Sequence, residues 1–219
     1  MAINVLSAPG PVCFPLLAIE DGEFNLEFGK TGNAQVVIDS SISLIERKLN
    51  IDYVLLSGLN LVAPDFGKKT ALMRKGGAAD KVAQIIKKRE KLETEFIYVE
   101  GMDEIMESLK NGKADSAIVM ALTGMKGPTL EERSLQSGIY LPGSCGASIE
   151  NGLEEEFLGI YKKGLDKLKN DKNNSAMLIS QKLNGRFKPE FISGIISSMK
   201  TVLAPPENYE LIKRELLND

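Results

Sequence analysis

The sequence predicts a two-lobed α/β fold with a helical C-terminal region. Up to Gly152, short apolar and β-branched runs alternate with segments in which apolar residues recur at helical spacing. After Gly152 only the helical spacing continues. Strands that alternate with helices indicate parallel sheets, which hold ligands at the carboxyl ends of their strands. At 219 residues the chain is long enough to form two small lobes.

The predicted elements follow one another closely along the chain. The first strand, residues 3–8, ends at Pro9-Gly10-Pro11, and a helix over residues 12–19 stops at Asp21-Gly22. Further strands are predicted over residues 24–28, 36–38, 53–56, 70–73, 96–99, 116–121 and 139–141, and helices over residues 42–49, 78–92 and 103–110. A loop is predicted over residues 142–146, and Ser43 and Glu46 have the spacing of a capping box.

Three apolar stripes of helical spacing mark the C-terminal region. They comprise Leu153, Phe157, Ile160, Tyr161, Leu165 and Leu168, then Ile192, Ile195, Ile196 and Met199, and last Tyr209, Ile212 and Leu216. The alternation before this region and the helices within it suggest that one lobe is inserted into the other. We predict a discontinuous first lobe of residues 1–73 and 139–219 and an inserted second lobe of residues 74–138, with hinges near Ala71 and Tyr140.

Charge and hydropathy exclude two classes of partner. The chain has 27 Lys and Arg against 30 Asp and Glu, a net charge of −3, so it has no excess of positive charge for nucleic acid or for an anionic membrane surface. Its apolar runs are shorter than the ~20 residues that cross a bilayer. The N-terminus shows no secretion signal. We therefore expect a cytoplasmic protein, or an extracytoplasmic one if a signal or lipid anchor has been removed.

The absence of histidine excludes whole classes of chemistry. Nucleophilic triads require an imidazole base, and zinc sites are usually built from cysteine and histidine. The chain has two cysteines, Cys13 and Cys145, which lie far apart and match no CxxC spacing. We interpret both as small, inert and partly buried thiols, with a disulfide as the alternative in an exported protein. No metal or cofactor is predicted.

Several stretches resemble the type II solute-binding proteins of ABC transporters. The run VVIDSSISLI (36–45) resembles the buried strand, Ser-Ser turn and helix of that family, and residues 52–56 and 67–73 resemble its next strand and its crossover. LKNGKADSAI (109–118) resembles its helix, glycine and Ala-Asp-Ala strand, and residues 138–142 its return strand. Within the family, the chain most resembles a cytosolic branch containing the chorismate dehydratase of the futalosine route to menaquinone. The resemblance implies a ligand in the cleft between the lobes.

Candidate ligand contacts in the first lobe follow its predicted strands. Pro9, Gly10 and Pro11 form a rigid turn after the first strand, where a ligand can approach the backbone closely, although a plain tight turn has the same sequence. Ser40 and Ser41 follow a buried strand and open a helix. One serine can cap that helix while the other faces the cleft.

Three further segments complete the candidate site. Ser57, with Gly58 and Asn60, follows a strand, and a surface loop is the alternative for this segment. Lys75 and Gly76 belong to the run Arg74-Lys75-Gly76-Gly77, which precedes a helix and can form an anion clamp or a solvated helix start.

Thr123 follows the central strand of the second lobe, where it can face Ser40 across the cleft or simply form a turn. Ser144 and Cys145 lie in the predicted return loop, where the thiol can line the pocket or serve a structural role. We interpret Glu154-Glu155-Glu156 as a solvated acidic helix start, because consecutive helical positions point in different directions.

Three functions are compatible with this pattern. The first is a binding protein whose lobes close over a small anionic or polar metabolite and whose closed form is recognised by a transporter permease or another protein. The second is an enzyme resembling chorismate dehydratase, acting by positioning and electrostatic stabilisation. The third is a ligand-sensing domain. Enzymes of the dehydratase branch carry an asparagine shortly after the first strand, where this chain has Pro9-Gly10-Pro11, and this difference favours the binding protein.

Overall fold

The computed structural model describes residues 2–19 and 22–217 and contains two β-sheets surrounded by helices. Its strands are β1 (Ile3–Ser7), β2 (Phe24–Phe28), β3 (Val36–Ser40), β4 (Tyr53–Ser57), β5 (Asn60–Ala63), β6 (Lys69–Met73), β7 (Glu95–Val99), β8 (Ser116–Met120), β9 (Cys145–Ile149) and β10 (Lys200–Ala204). Its helices are α1 (Phe14–Leu17), α2 (Ser41–Glu46), α3 (Ala78–Glu90), α4 (Met102–Lys110), α5 (Leu130–Gln136), α6 (Glu154–Asn170), α7 (Lys172–Lys182), α8 (Pro189–Ser198) and α9 (Glu210–Leu217). The predicted α/β class with helices at the C-terminus is confirmed.

The first sheet has the strand order β10-β4-β9-β3-β1-β2. β1 pairs in parallel with β2 and β3, whereas β9 is antiparallel to both β3 and β4, and β10 is antiparallel to β4. The strands β1 to β4 therefore all run in one direction. Their carboxyl ends, and the beginning of β9, lie at the same edge of the sheet, where Ser40 pairs with Cys145.

The second sheet has the order β5-β8-β6-β7. β6 is parallel to β7 and β8, and β5 is antiparallel to β8, with Asn60 opposite Met120. The carboxyl ends of β6 and β8 and the first residue of β5 thus share one edge. β5 and β6 lie within residues 1–73, the range predicted for the first lobe, but they pair in the second sheet. Ala71, predicted to lie near a hinge, is inside β6.

Three buried clusters form the core of the described part of the chain. The first packs the first sheet against α1, α6, α7 and α8, and its largest fully buried side chains include Tyr161, Phe14 and Phe157. The second cluster contains Leu44 of α2 together with Ile86 of α3, so it joins helices from both sheets. The third lies beneath α4. The predicted stripes account for this packing because Phe157, Ile192 and Ile212, one from each stripe, are fully buried.

The chain around residue 140 differs from the prediction. Ile139 and Leu141 are buried in the second core cluster, but residues 139–141 form no strand. The return strand is instead β9, which begins inside the predicted loop of residues 142–146. Gly146 permits this pairing because a side chain there would lie 2.7 Å from Ile51 Cγ2 and 3.0 Å from the Tyr53 carbonyl oxygen. The sequence of β9, CGASI, consists mostly of small residues and therefore gives a weak strand signal.

Other local predictions were also corrected. The helix after β3 is capped by Ser40, whose hydroxyl accepts the Ser43 N–H at 3.2 Å, so the spacing of Ser43 and Glu46 does not form a capping box. A capping box is present at Thr129 and Glu132, at the start of the unpredicted α5. β5 and β10 were unpredicted as well. Asp21, predicted to end the first helix, lies outside the described residues.

Candidate functional site

A cavity of about 290 Å³ lies where the carboxyl ends of strands from both sheets meet. From the first sheet it is bordered by β3, β9 and the turn that follows β1, and from the second by β5, β8 and the loop that follows β6. It is lined by Pro11, Ser40, Ile42, Leu59, Asn60, Arg74, Ala78, Ala79, Val82, Met120, Leu130, Glu131, Leu141, Gly143, Ser144 and Cys145. The lining is largely apolar with a few polar groups, which is typical of a small-molecule site.

Ser40 and Ser41 occupy different environments. Ser40 lines the cavity and also caps α2. Ser41 is fully buried, and its hydroxyl donates a hydrogen bond of 3.0 Å to the carbonyl oxygen of Pro142. The Ser41 hydroxyl is therefore committed to the loop before β9 and does not line the cavity.

The turn after β1 contributes one cavity residue. Pro11 lines the cavity and begins a short 3₁₀ turn. Pro9 and Gly10 precede it, and the Gly10 carbonyl oxygen accepts the Cys13 N–H at 3.0 Å. Gly10 has an extended backbone with a φ of −171°, and a side chain there would meet no atom within 4 Å. The glycine is thus not required by local sterics.

The loop after β6 supplies a free cation. Arg74 lines the cavity, is exposed and adopts a left-handed backbone with a φ of 56°. Within the described ranges, its guanidinium forms no ion pair or side-chain hydrogen bond. Lys75 is directed elsewhere, with its ammonium 5.7 Å from the centre of the Tyr98 ring, and the Gly76 N–H donates to Asp80 at 2.7 Å. Of the predicted anion clamp, Arg74 lines the cavity, whereas Lys75 and Gly76 do not.

Ser57 and Thr123 lie outside the cavity lining. Ser57 ends β4 and pairs with Lys200 of β10. Thr123 ends a 3₁₀ turn after β8, and its hydroxyl is 3.5 Å from the Met125 N–H. Met120, at the end of β8, lines the cavity where Thr123 was expected.

Glu131 is the acidic residue of the cavity and connects elements of both sheets. It lies on α5, which packs on α3 and β5. Its Oε1 atom accepts the Gly58 N–H at 3.0 Å and the Ser144 hydroxyl, both from segments that flank the first sheet. Its Oε2 atom is buried and has no hydrogen-bond partner among the residues that the structure describes. The carboxylate therefore holds the cavity walls together through one oxygen and leaves the other unpaired.

Burial makes both thiols poor nucleophiles. Cys145 lines the cavity but is only 7% exposed, and desolvation raises its pKa above the ordinary range of a cysteine. Burial also raises the pKa of Cys13 to about 12. Both cysteines are free, as the sequence predicted, and both are buried rather than partly buried. The arrangement offers hydrogen bonds and charges to a ligand rather than a nucleophile.

A sequence model of the family described as "Protein of unknown function (DUF3834)" matches residues 1–202. The chain belongs to this DUF3834 family. No curated protein matches the sequence. Among the described residues, no helix is long and apolar enough to cross a membrane.

Solved structures resemble this DUF3834 chain over nearly its whole length. A putative nitrate transport protein from Thermoplasma volcanium is 26% identical, with a TM-score of 0.76 that covers 99% of this chain and 91% of the other. The alkanesulfonate-binding protein from Xanthomonas axonopodis pv. citri, bound to MOPS, is 12% identical with a TM-score of 0.53 and covers 98% and 89%. An ABC transporter protein from Parabacteroides distasonis is 10% identical with a TM-score of 0.58 and covers 99% and 90%. The fold is that of the type II periplasmic solute-binding proteins.

Sequence reasoning missed Glu131 because it missed α5. The segment from Thr129 to Gln136 is polar and short, and it follows a stretch punctuated by glycine and proline. The signal that could have found it is the T-x-x-E spacing of Thr129 and Glu132, which forms the observed capping box. No local signal marks Glu131 as a cavity residue, because its partners Gly58 and Ser144 are 73 and 13 residues away in the sequence.

Proposed function

We propose that this chain is a binding protein that holds a small polar or anionic metabolite in the cavity between its two sheets. The observation that carries the proposal is Arg74, which lines that cavity and whose guanidinium forms no ion pair within the described part of the chain. A guanidinium presents several donors in a fixed plane that matches carboxylates and other oxyanions. Ser40 and Asn60 line the same cavity, and their hydroxyl and amide groups can add neutral hydrogen bonds.

Two further features support this proposal. The cavity has room for a small metabolite and lies at the carboxyl ends of parallel strands, where α/β folds hold ligands. The similar protein from Thermoplasma volcanium is described as a putative nitrate transport protein. We propose that this chain delivers its ligand to a transporter permease or another protein, and that this partner recognises the form in which the two lobes have closed.

The alternative function, a dehydratase, requires the protein to convert its ligand chemically. The lining of the cavity contains one acidic side chain, Glu131, that can exchange a proton with a substrate. Glu131 could take part in proton transfer, but its Oε1 atom is already bonded to Gly58 and Ser144. Incubation of chorismate with the protein, followed by chromatography of the products, separates this alternative from simple binding. We expect chorismate to be recovered unchanged.

The proposed function is tested by thermal shift and calorimetry with nitrate, sulfate, short carboxylates, alkanesulfonates and chorismate. A ligand at 100 times its dissociation constant stabilises the folded state by about 2.7 kcal/mol. We expect at least one compound to give such a shift, Arg74→Gln to remove it and Ser40→Ala to weaken it. Arg214→Gln removes an exposed guanidinium near the C-terminus and is the matched control. Absence of binding across the panel, or undiminished binding by Arg74→Gln, would refute this use of the cavity.

A further inference from the structure

One of the two carboxylate oxygens of Glu131, a residue of the cavity lining, lacks a hydrogen-bond donor among the described residues. Its Oε1 atom accepts two hydrogen bonds, from the Gly58 N–H and the Ser144 hydroxyl. Its Oε2 atom is buried, and no group within residues 2–19 and 22–217 donates to it. A buried polar atom without a partner destabilises the folded state, and it does so more strongly when it carries charge. Such an atom in a native protein calls for an explanation, and a missing donor is the simplest one.

Arg74 supplies the opposite charge in the same cavity. Arg74 lines the cavity, and its guanidinium forms no ion pair among the described residues. Arg74 and Glu131 therefore do not neutralise each other, although both face the same small space. Arg74 is exposed at the cavity, and Oε2 of Glu131 is a buried oxygen without a partner, which a ligand reaches when the Glu131 side chain turns toward the cavity.

We propose that the ligand of this cavity is a small zwitterion, with its anionic group on Arg74 and a protonated amine on Glu131 Oε2. This inference rests on the proposed function, because it specifies the ligand of the same site. An ammonium group carries three donors and a positive charge, so it provides both the hydrogen bond and the charge that Oε2 lacks. The amine, rather than the anionic group, then distinguishes the ligand from a simple oxyanion.

The carboxylate also selects against simple anions. A ligand with an anionic end and a methyl group at the other end would leave Oε2 unpaired and bury it further. Sites built to bond a polar ligand group reject analogues that lack this group, because the buried protein atom is then left unsatisfied. Glu131 thus acts as a specificity residue, whereas Arg74 serves any anion of the right size.

Three probes of nearly equal size test the amine directly. Taurine, isethionate and propane-1-sulfonate share a sulfonate on a two-carbon spacer and differ only in the ammonium, hydroxyl or methyl group at the other end. Calorimetry on the full chain should show taurine binding roughly 10- to 100-fold more tightly than propane-1-sulfonate, which is the range of a hydrogen bond to a charged group. β-Alanine, 3-hydroxypropionate and butyrate repeat the comparison with a carboxylate.

Glu131→Gln tests the residue assignment. Glutamine retains an acceptor for Gly58 and Ser144 but places an amide NH₂ at the position of Oε2, so the preference for the amine should disappear. Glu132→Gln is the matched control, because Glu132 is the next carboxylate on α5 and accepts the Thr129 N–H at 2.8 Å in the helix cap. This control should retain the amine preference. Urea unfolding of both variants verifies that they are folded.

The outcomes separate this inference from the proposed function. Equal binding of the ammonium and methyl probes by the unmodified protein would overturn the zwitterion and leave anion binding intact. Preference for the hydroxyl probe would replace the ammonium by a neutral donor and also overturn it. If neither series binds while nitrate or sulfate does, the inference fails and the proposed function stands. If no compound binds at all, both fail.

Discussion

The carboxylate of Asp80 accepts a hydrogen bond of 2.7 Å from the backbone N–H of Gly76. Asp80 is buried in the first turn of α3, and its other oxygen accepts the Tyr98 hydroxyl at 2.9 Å. The bond to Gly76 closes the loop between β6 and α3, which begins with Arg74. A buried side chain outside the cavity lining therefore holds the segment that presents the cavity's free cation.

Asp80→Ala should destabilise the fold and weaken ligand binding together. It leaves the Gly76 N–H and the Tyr98 hydroxyl without their acceptor, which costs about 1 to 3 kcal/mol of unfolding free energy. Binding of the best anion should weaken several-fold, because the Arg74 loop is less ordered. Urea unfolding and calorimetry measure the two effects. Asp103→Ala changes an exposed acidic residue in the first turn of α4 and should alter neither quantity by more than about 0.5 kcal/mol.

Arg133→Met should be among the more destabilising single changes in the second-sheet region. The Arg133 side chain is 8% exposed, forms paired hydrogen bonds to Glu90 and also bonds Asp65 at 2.8 Å. Removing one partner of a buried pair costs about 3 to 5 kcal/mol. Because Glu90 is 26% exposed, we expect a smaller loss of roughly 2 to 3 kcal/mol. A loss below about 0.5 kcal/mol in urea unfolding, the usual size of a surface substitution, would show that the pair is not structural.

The same pair predicts a pH dependence. Hydrogen bonds from Arg133 lower the pKa of Glu90 in the folded protein. The contribution of the Glu90–Arg133 pair to the free energy of unfolding is therefore complete above the ordinary glutamate pKa of about 4.3. The contribution is lost as the pH falls through the lowered folded value. Unfolding curves from pH 6 to pH 3 should therefore converge for the unmodified protein and Arg133→Met. Parallel curves would contradict this assignment.

Gly164→Ala and Gly159→Ala form a matched pair on α6. A side chain at Gly164 would lie 2.1 Å from the Pro15 carbonyl oxygen of α1, whereas one at Gly159 would meet no atom within 4 Å. Overpacking of this kind costs about 1 to 3 kcal/mol, and alanine at an open helical site adds about 0.5 to 1 kcal/mol of stability. Thermal unfolding should move in opposite directions for the two variants. The same sign in both would contradict close packing of α6 on α1.

The two thiols should be inert in the folded protein. Burial raises the pKa of Cys13 to about 12 and that of Cys145 above the ordinary range, so neither forms appreciable thiolate at pH 8. Iodoacetamide should label neither cysteine in the native state and both in urea, as measured by mass spectrometry. Rapid native labelling of Cys145, which lines the cavity, would instead show that the cavity opens widely to solvent.

The sequence determined those features that depend on neighbouring residues. Each strand from β1 to β4 was predicted, because β-branched or alternating apolar residues between turn signals define a strand locally. The C-terminal stripes determined the buried faces of α6, α8 and α9 in the same way. The absence of histidine limited the chemistry of the chain through composition alone. Ser40 was placed at the cavity because it follows a buried strand.

Only the tertiary structure decided the features that depend on distant pairing. β9 consists of small residues and is a strand because β3 and β4 lie on either side of it, and β10 is a largely exposed edge strand that pairs with β4. Contacts with distant residues also decide which side chains line the cavity. Lys75 lies near the Tyr98 ring and Gly76 bonds Asp80, so Arg74 lines the cavity rather than Lys75. Ser41 bonds Pro142, so Ser40 lines the cavity rather than Ser41.

Glu131 is the clearest example of a cavity residue that the sequence alone does not reveal. It contacts Gly58 across 73 residues of sequence, and its Oε2 atom remains unpaired. A sequence pattern records which residues follow one another, whereas a site is made by side chains that the fold brings together from distant positions.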